Sequence, residues 1–334
     1  MSTVFLNGSF LTPDQAMVGA FDAGLQHGVG LFETLLAVRD GDGSRVVHLD
    51  QHLQRLADSA RELNLSEHLR TPALADAVRR TVDRAFADQA DAQRLRVRLT
   101  ITGGDLNLLS AAKAGGEARE HAPTLLIHAQ PAAAYPPEML RRGVLATIAD
   151  WKANPLDPFQ GHKTLNYWPR LRELQIAAGK RAAEALVMQV TNYLAGGCVS
   201  NAFIVADGEL VTPIARGEEE DVLGEEGLEP QPPAEGEPVN NYDPPIRGVA
   251  VPSPVLPGVV RRWVMDWALA EGIECSRRLI SIRDVLDADE VFLTNSSWGV
   301  LPVVGVESHA VGEGKVGPIA TRLVDAWSQI AAVK

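Results

Sequence analysis

Strand-type and helix-type segments alternate along this chain on both sides of one Pro- and Ala-rich break, "AQPAAAYPPEM", residues 129–139. Such a stretch stops regular structure. The chain has 334 residues, more than one compact core usually serves. The break therefore reads as the join of two domains, 1–130 and 143–334, with 131–142 as linker.

The first half carries clear periodicities. "TVFLNGSFL" reads as two short strands around an Asn-Gly turn. "HLDQHLQRLADSARELNL" places Leu49, Leu53, Leu56, Ala60 and Leu63 on one helical face. "TPALADAVRRTVDRAFADQA" opens with Thr-Pro and predicts a second helix. "LRVRLTITGG" sets Leu95, Val97, Leu99 and Ile101 against Arg94, Arg96 and Arg98, the pattern of a half-buried strand. "PTLLIHAQ" predicts another strand. In the second half, "GVLATIAD", "EALVMQV", "NAFIVADGELVTP" and "DEVFLTN" predict strands, the third as a hairpin at Asp207-Gly208. "LNYWPRLRELQIAAGKRAAE", "GVVRRWVMDWALAEGI" and "GPIATRLVDAWSQIAAV" predict helices.

Charge is unevenly placed. The net charge is −12, but residues 217–246 hold ten Asp or Glu and no Lys or Arg, so the remainder carries −12 + 10 = −2. A body that close to neutral lacks the basic face of a nucleic-acid binder. The stretch of about 217–247 is rich in Glu, Pro and Gly and predicts a disordered surface loop. Deletion of residues 217–246 is expected to leave activity nearly intact. No run of about 18 apolar residues occurs, so no membrane span is expected. The start, "MSTVFLNGSF", lacks a basic region followed by an apolar core, so no secretory signal is read. Two cysteines, Cys198 and Cys275, make no disulfide framework, and a reducing cytoplasm fits.

Four places could carry chemistry. Lys163 in "QGHKTLNYWPRL" is either a solvated charge or a nucleophilic amine; Leu165, Tyr167 and Trp168 could form the apolar wall that depresses a lysine pKa. "SPVLPGVVRRW" starts a helix at Gly258, and a helix N-terminus suits a phosphate. Arg55 lies on the polar flank of its helix, where a guanidinium could grip a phosphate. "FLTNSSWGVLPVVG" ends a strand in small polar side chains, which also serve in turns. His48 and His52 have zinc-pair spacing without a third ligand, so no metal site is expected. "HGVGLFE" and "VGEGKVGP" match neither phosphate-loop nor dinucleotide spacing and read as turns.

In their order and spacing these pieces resemble the class IV aminotransferases. These are pyridoxal-phosphate enzymes that include branched-chain and D-amino-acid aminotransferases and aminodeoxychorismate lyase. The likeness rests on "FDAGLQHGVGLFETL", "HLDQHLQRL", "HKTLNY", "GCVSNAFIVADGELVTP", "LPGVVRRWVMDWALAEGI" and "ADEVFLTNSSWGVLPV". It implies a two-domain D-amino-acid-aminotransferase-like α/β (α+β) fold. The smaller N-terminal α/β domain precedes a larger C-terminal pseudo-barrel. It implies pyridoxal 5′-phosphate as cofactor, Lys163 as Schiff-base and proton-shuttle residue, and Tyr167 near the cofactor's phenolic oxygen. Asn201 falls on the family's hairpin asparagine. Arg55, Gly258, the N–H groups of Val259 and Val260, and Ser296 fall where the phosphate is held. Amino acids and 2-oxo acids as substrates, and a homodimer, are further implications.

Two positions depart from the family pattern. The glutamate that pairs with the pyridine nitrogen lies five residues before the hairpin asparagine, and that position here is Gly196. Thr191, Asn192 or a water is expected to fill its place. Val260 stands where threonine is usual. Which amino acid, which enantiomer, and transamination against pyruvate elimination stay open on these residues. So does a cofactor-binding homologue without catalysis.

Overall fold

The computed structural model describes residues 3–105, 123–219 and 251–333. The first half is an antiparallel sheet with helices on one face. Its elements are β1 (Val4–Leu6), β2 (Ser9–Leu11), α1 (Ala23–His27), β3 (Gly30–Asp40), β4 (Gly43–Val46), α2 (Leu49–Glu62), α3 (Thr71–Asp88), β5 (Arg94–Thr102) and β6 (Leu125–Pro131). The strand order is β2-β1-β6-β5-β3-β4. Asn7 and Gly8 both take positive φ, as the tight hairpin of β1 and β2 requires. Leu49, Leu53, Leu56 and Ala60 of α2 pack with Val78 and Val82 of α3 onto Leu35, Val97, Leu99 and Ile127. Each fully buried Leu, Ile or Val contributes roughly 1.5–3 kcal/mol relative to exposure.

The long strand β3 is not legible as a strand in the sequence. "GLFETLLAVRD" is buried on both faces for most of its length, so no alternation shows. It contains Glu33, a carboxylate only 1% exposed.

The second half comprises α4 (Pro137–Arg142), β7 (Val144–Ile148), α5 (Trp168–Gly179), β8 (Glu184–Met188), β9 (Leu194–Gly197), β10 (Asn201–Ala206), β11 (Glu209–Thr212), α6 (Val259–Ala270), β12 (Cys275–Arg277), α7 (Ile282–Leu286), β13 (Glu290–Asn295), β14 (Gly299–Val306), β15 (His309–Ala310) and α8 (Pro318–Ile330). Helix α4 occupies the second half of the stretch 131–142. The strand path runs β12-β11-β10-β13-β14-β7-β8-β9, with β15 on β14. Four strands separate β10 from β9 along this path, yet only residues 198–200 join them in the chain. The sheet must therefore curl until its two ends approach, which makes the pseudo-barrel. Residues 198–200 form the seam.

Strand β14 was also hidden from periodicity, because Pro302 sits inside it. Pro302 faces Phe292 of β13, and pairing with β7 begins only at Val303. A proline is tolerated there because its missing N–H leaves no partner waiting on the β7 side. Leu36, Val38 and Val47 of the first half pack with Phe203, Val264, Phe292 and Trp327 of the second. One apolar cluster therefore crosses the join and sets the two sheets against each other.

The acidic stretch lies outside the described residues except at 217–219, and there it is not loose. Glu218 takes both ends of the Arg261 guanidinium at 2.8 Å. Arg261 is 2% exposed and also donates to Thr212 Oγ1 and the Pro213 carbonyl. Burial pushes the Glu218 carboxyl up, but the hydrogen bond and charge of Arg261 hold it below its usual range. A deletion beginning at 217 would strip that buried guanidinium of its carboxylate and so cost stability. Glu218→Ala is expected to cost about 3–5 kcal/mol, measured as a lowered urea midpoint.

Candidate functional site

A cavity of about 480 Å³ lies between the two sheets. One end is built on α2. The apolar stripe of that helix faces the core, which turns His52 and Arg55 toward β3 and the cavity. Glu33 of β3 accepts from Arg55 Nε at 2.9 Å and Nη2 at 2.6 Å, and from His52 Nδ1 at 2.7 Å. Burial alone would raise the Glu33 carboxyl. The Arg55 charge and the His52 hydrogen bond overcome it and bring the pKa down to about 2. Burial pushes His52 below its ordinary value, so it is neutral near pH 7. With Nδ1–H donated to Glu33, Nε2 accepts from the Ser296 hydroxyl at 3.2 Å. Arg55 Nη1 reaches the Pro257 carbonyl at 3.0 Å.

That carbonyl immediately precedes α6, whose first N–H groups have no intrahelical acceptor. Gly258 caps the helix, and a Cβ there would lie 1.8 Å from Asn201 Oδ1. Glycine is required by this approach, and Asn201 fixes the turn through Nδ2 to the Leu256 carbonyl at 2.8 Å. Ser296 follows β13 in a turn where Asn295 Oδ1 accepts from the N–H groups of Ser297 and Trp298. Arg55, Ser296, Gly258, Val259 and Val260 all line the same end of the cavity. A guanidinium, a hydroxyl and a helix N-terminus make an anion cradle.

Lys163 stands beside it. Its segment is clipped to β3 by Phe32 N–H to the Lys163 carbonyl and Leu165 N–H to the Gly30 carbonyl, each 3.0 Å. Nζ lies 4.6 Å from the Phe32 ring centre and 5.5 Å from that of Tyr167. Burial raises the Tyr167 hydroxyl, but the charges of Lys163 and Arg170 and the Lys163 hydrogen bond bring it below its usual value. The aromatic wall is thus Phe32 and Tyr167. Trp168, expected in that wall, is 79% exposed on the outer side of α5. Nothing in the chain's local pattern marks Phe32, which reaches Lys163 only because the lysine segment pairs with β3.

At the far end the structure departs from expectation. Gly196 does not line the cavity; its φ is +142°, and a Cβ would meet the Ser200 carbonyl oxygen at 2.8 Å. A glutamate is strained at this position whatever its charge. Thr191 and Asn192 lie on the exposed turn between β8 and β9, where Asn192 accepts from Lys152 at 2.6 Å. Neither reaches the cavity. Arg170, in the first turn of α5, does. Its Nη1 donates to the carbonyls of Gly197 at 3.4 Å and Cys198 at 3.1 Å. No motif in the sequence singles Arg170 out. Behind the seam, Glu184 accepts from the N–H groups of Cys198 and Val199 and from the Ser200 hydroxyl. Burial raises its pKa. Among the described residues the cavity lining includes Arg55, Arg96, Arg98, Lys163 and Arg170 and no carboxylate. Among the described residues no cluster of metal-binding side chains occurs.

Comparison with known proteins places this geometry in context. The profile of the family described as amino-transferase class IV matches residues 30–221 and 247–306. The chain is 27% identical over 329 residues to a putative branched-chain-amino-acid aminotransferase of Methanocaldococcus jannaschii, covering 98% of this chain and 96% of that one. It is 27% identical over 330 residues to a bifunctional aminodeoxychorismate lyase / D-amino acid transaminase of Mycobacterium tuberculosis, covering 97% of each. Among solved structures, the Escherichia coli branched-chain amino acid aminotransferase superposes with a TM-score of 0.76 at 24% identity, over 98% of this chain and 93% of that one. The 4-amino-4-deoxychorismate lyase of Pseudomonas aeruginosa superposes at 0.72 with 25% identity, over 98% of each.

Proposed function

The chain belongs to the class IV aminotransferase family, and on that premise we propose that it moves an amino group between an amino acid and a 2-oxo acid with pyridoxal 5′-phosphate. The residues present fit that cofactor. The anion cradle of Arg55, Ser296 and the N-terminus of α6 at Val259 and Val260 suits its phosphate. Lys163, the one lysine lining the cavity among the described residues, is the amine to hold its aldehyde carbon. Tyr167 lies beside Lys163 and suits its phenolic oxygen. What the cofactor supplies when bound is an electron sink for the substrate's α-carbon.

The chain's own residues do the rest. Glu33 and His52 fix Arg55 and Ser296, so the anion is held without rearrangement. Lys163 Nζ takes and returns the α-proton, a role worth about 10²–10⁴-fold in rate. Arg96 and Arg98, on the cavity side of β5, make no ion pair among the described residues. Arg98 stacks on Phe32 with its guanidinium carbon 3.7 Å from the ring centre. These two guanidinia suit the carboxylates of amino and 2-oxo acids.

The observation that carries this reading is the juxtaposition of the Lys163 amine and the anion cradle in one cavity. Exposed Met17, Phe21, Leu25 and Trp168 support a homodimer. The free cysteines Cys198 and Cys275 support a cytoplasmic setting.

A screen of amino donors of both enantiomers with several 2-oxo acids, read by chromatography of the new amino acid, tests the activity. Amino transfer to at least one 2-oxo acid is expected. No transfer with any pair, together with pyruvate release from aminodeoxychorismate in the absence of a 2-oxo acid, would replace this reading by the lyase.

A further inference from the structure

Resting on the cofactor reading above, we propose that Arg170 is the partner of the cofactor's pyridine nitrogen and keeps that nitrogen unprotonated. The placement follows from connectivity. Around a pyridoxal ring the aldehyde-bearing carbon comes first, then the phenolic carbon, the methyl-bearing carbon and the nitrogen; the phosphate arm sits on the other side of the aldehyde. In the cavity wall Tyr167 lies beside both Lys163 and Arg170, and Arg170 is joined through Gly197 and Cys198 to the segment whose Asn201 holds the turn of the anion cradle. Lys163 Nζ and the Arg170 guanidinium carbon lie 5.5 and 5.8 Å from the Tyr167 ring centre. With the phosphate held at the cradle and the aldehyde carbon at Lys163, the nitrogen edge would face the end where Arg170 donates to the Gly197 and Cys198 carbonyls.

The chemistry of that end is one-sided. A protonated pyridine nitrogen is best matched by a carboxylate, and no carboxylate lines the cavity among the described residues. Glu33 is engaged by Arg55 and His52. Glu184 lies behind the seam, engaged by three backbone N–H groups and the Ser200 hydroxyl. Gly196 cannot become a glutamate without strain against the Ser200 carbonyl. A guanidinium, by contrast, has five donors and no acceptor. Only Nη1 of Arg170 makes hydrogen bonds within the described residues, to the Gly197 and Cys198 carbonyls. Those two carbonyls orient the group and leave its other N–H groups available.

A guanidinium in the first turn of a helix is also opposed by the helix dipole, so its place on α5 is not explained by helix stability. Most of the remaining titratable groups around the nitrogen edge are cationic or neutral. Lys163 adds positive charge, Arg96 and Arg98 add more from β5, and burial pushes the Cys198 thiol up to about 12, so it stays neutral. Two groups there can carry negative charge among the described residues: Tyr167, which faces Lys163, and Glu184 behind the seam, whose oxygens are taken by backbone N–H groups and the Ser200 hydroxyl. An arginine-bound nitrogen must offer its lone pair, and nearby positive charge disfavours its protonation. The consequence is a weaker electron sink, which places more of the reaction's demand on proton transfer at Lys163.

The test is the ¹⁵N resonance of ring-labelled pyridoxal phosphate bound to the full-length protein. The nitrogen is expected in the unprotonated range at neutral pH and to stay there down to the lowest pH at which the protein is folded. Arg170→Glu is expected to shift it into the protonated range, and Arg170→Lys to leave it unprotonated. A protonated nitrogen in the unmodified protein at neutral pH overturns the proposal, as does an Arg170→Glu protein that binds the cofactor with the nitrogen unchanged. The first measurement needs no variant, so a misfolded Arg170→Glu protein does not rescue the idea. Borohydride reduction of the same sample separates the two failures. A pyridoxyl group on Lys163 with a protonated nitrogen sinks the Arg170 role alone. A pyridoxyl group elsewhere sinks the cofactor reading and this one with it.

Discussion

Lys163→Ala is expected to abolish covalent attachment of pyridoxal phosphate and to slow amino transfer by at least about 10²–10⁴-fold, the range for loss of a positioned acid–base group. The size of the effect follows from the lining of the cavity. Lys152 is tied to Asn192 on the exposed β8–β9 turn, and Lys180 and Lys315 are exposed. No described lysine can take over. Stability should hardly change, within about 0.5 kcal/mol, because the segment is clipped to β3 through backbone groups that alanine keeps. The paired measurements are borohydride reduction with peptide mass mapping, and turnover beside a thermal melt. A variant that retains most of its turnover, or an adduct on another side chain in the unmodified protein, removes Lys163 from its role.

Glu33→Ala is expected to cost about 3–5 kcal/mol, since it leaves the Arg55 guanidinium without its buried carboxylate. It should also weaken cofactor retention, because the same carboxylate aims Arg55 and sets the His52 tautomer that orients Ser296. The pH dependence has a defined sign. The Glu33 carboxyl titrates at about 2 in the folded protein against 4.5 when free. Its contribution is therefore fully present above pH 4.5 and is lost as pH falls toward 2, a total on the order of 3 kcal/mol. His52 acts in the same direction at higher pH. Burial holds its folded pKa below 6.5, so stability declines as pH falls below that value. Urea unfolding at pH 7, 5 and 4 should show the unmodified protein losing stability through the whole series. The variant should lose less between pH 5 and 4. Equal losses in both would mean that Glu33 is not held as an ion pair.

The legible and illegible parts of this protein separate by how local their causes are. Helix α2 and strand β5 were readable because each has one wet and one dry face, so Leu49, Leu53 and Leu56, or Leu95, Val97 and Leu99, recur at the period of their element. Strands β3 and β14 were not, because burial on both faces erases the alternation and Pro302 hides the second of them. In the site, Lys163, Arg55, Ser296 and the start of α6 were visible as motifs of fixed spacing. The contact of Phe32 with Lys163 and the place of Arg170 were not, since each meets its partners through a contact between separate elements. Gly196 shows the reverse limit. The sequence exposes a missing carboxylate there, but not that the backbone itself turns away from any side chain.

The amino-acid order by itself determined the mixed α/β class, the near-neutral body beside an acidic stretch, and the candidates for an amine and an anion cradle. Those features depend on neighbours within one or two turns of chain. Only the tertiary structure decided that β3 runs through the first sheet with a buried Glu33, that residues 198–200 close the curl of the second, and that Arg170 reaches the cavity while Thr191 and Asn192 do not. The reason is that pairing β10 to β13 and the lysine segment to β3 joins residues far apart in the chain, and no local periodicity encodes which distant strand edge a segment will meet.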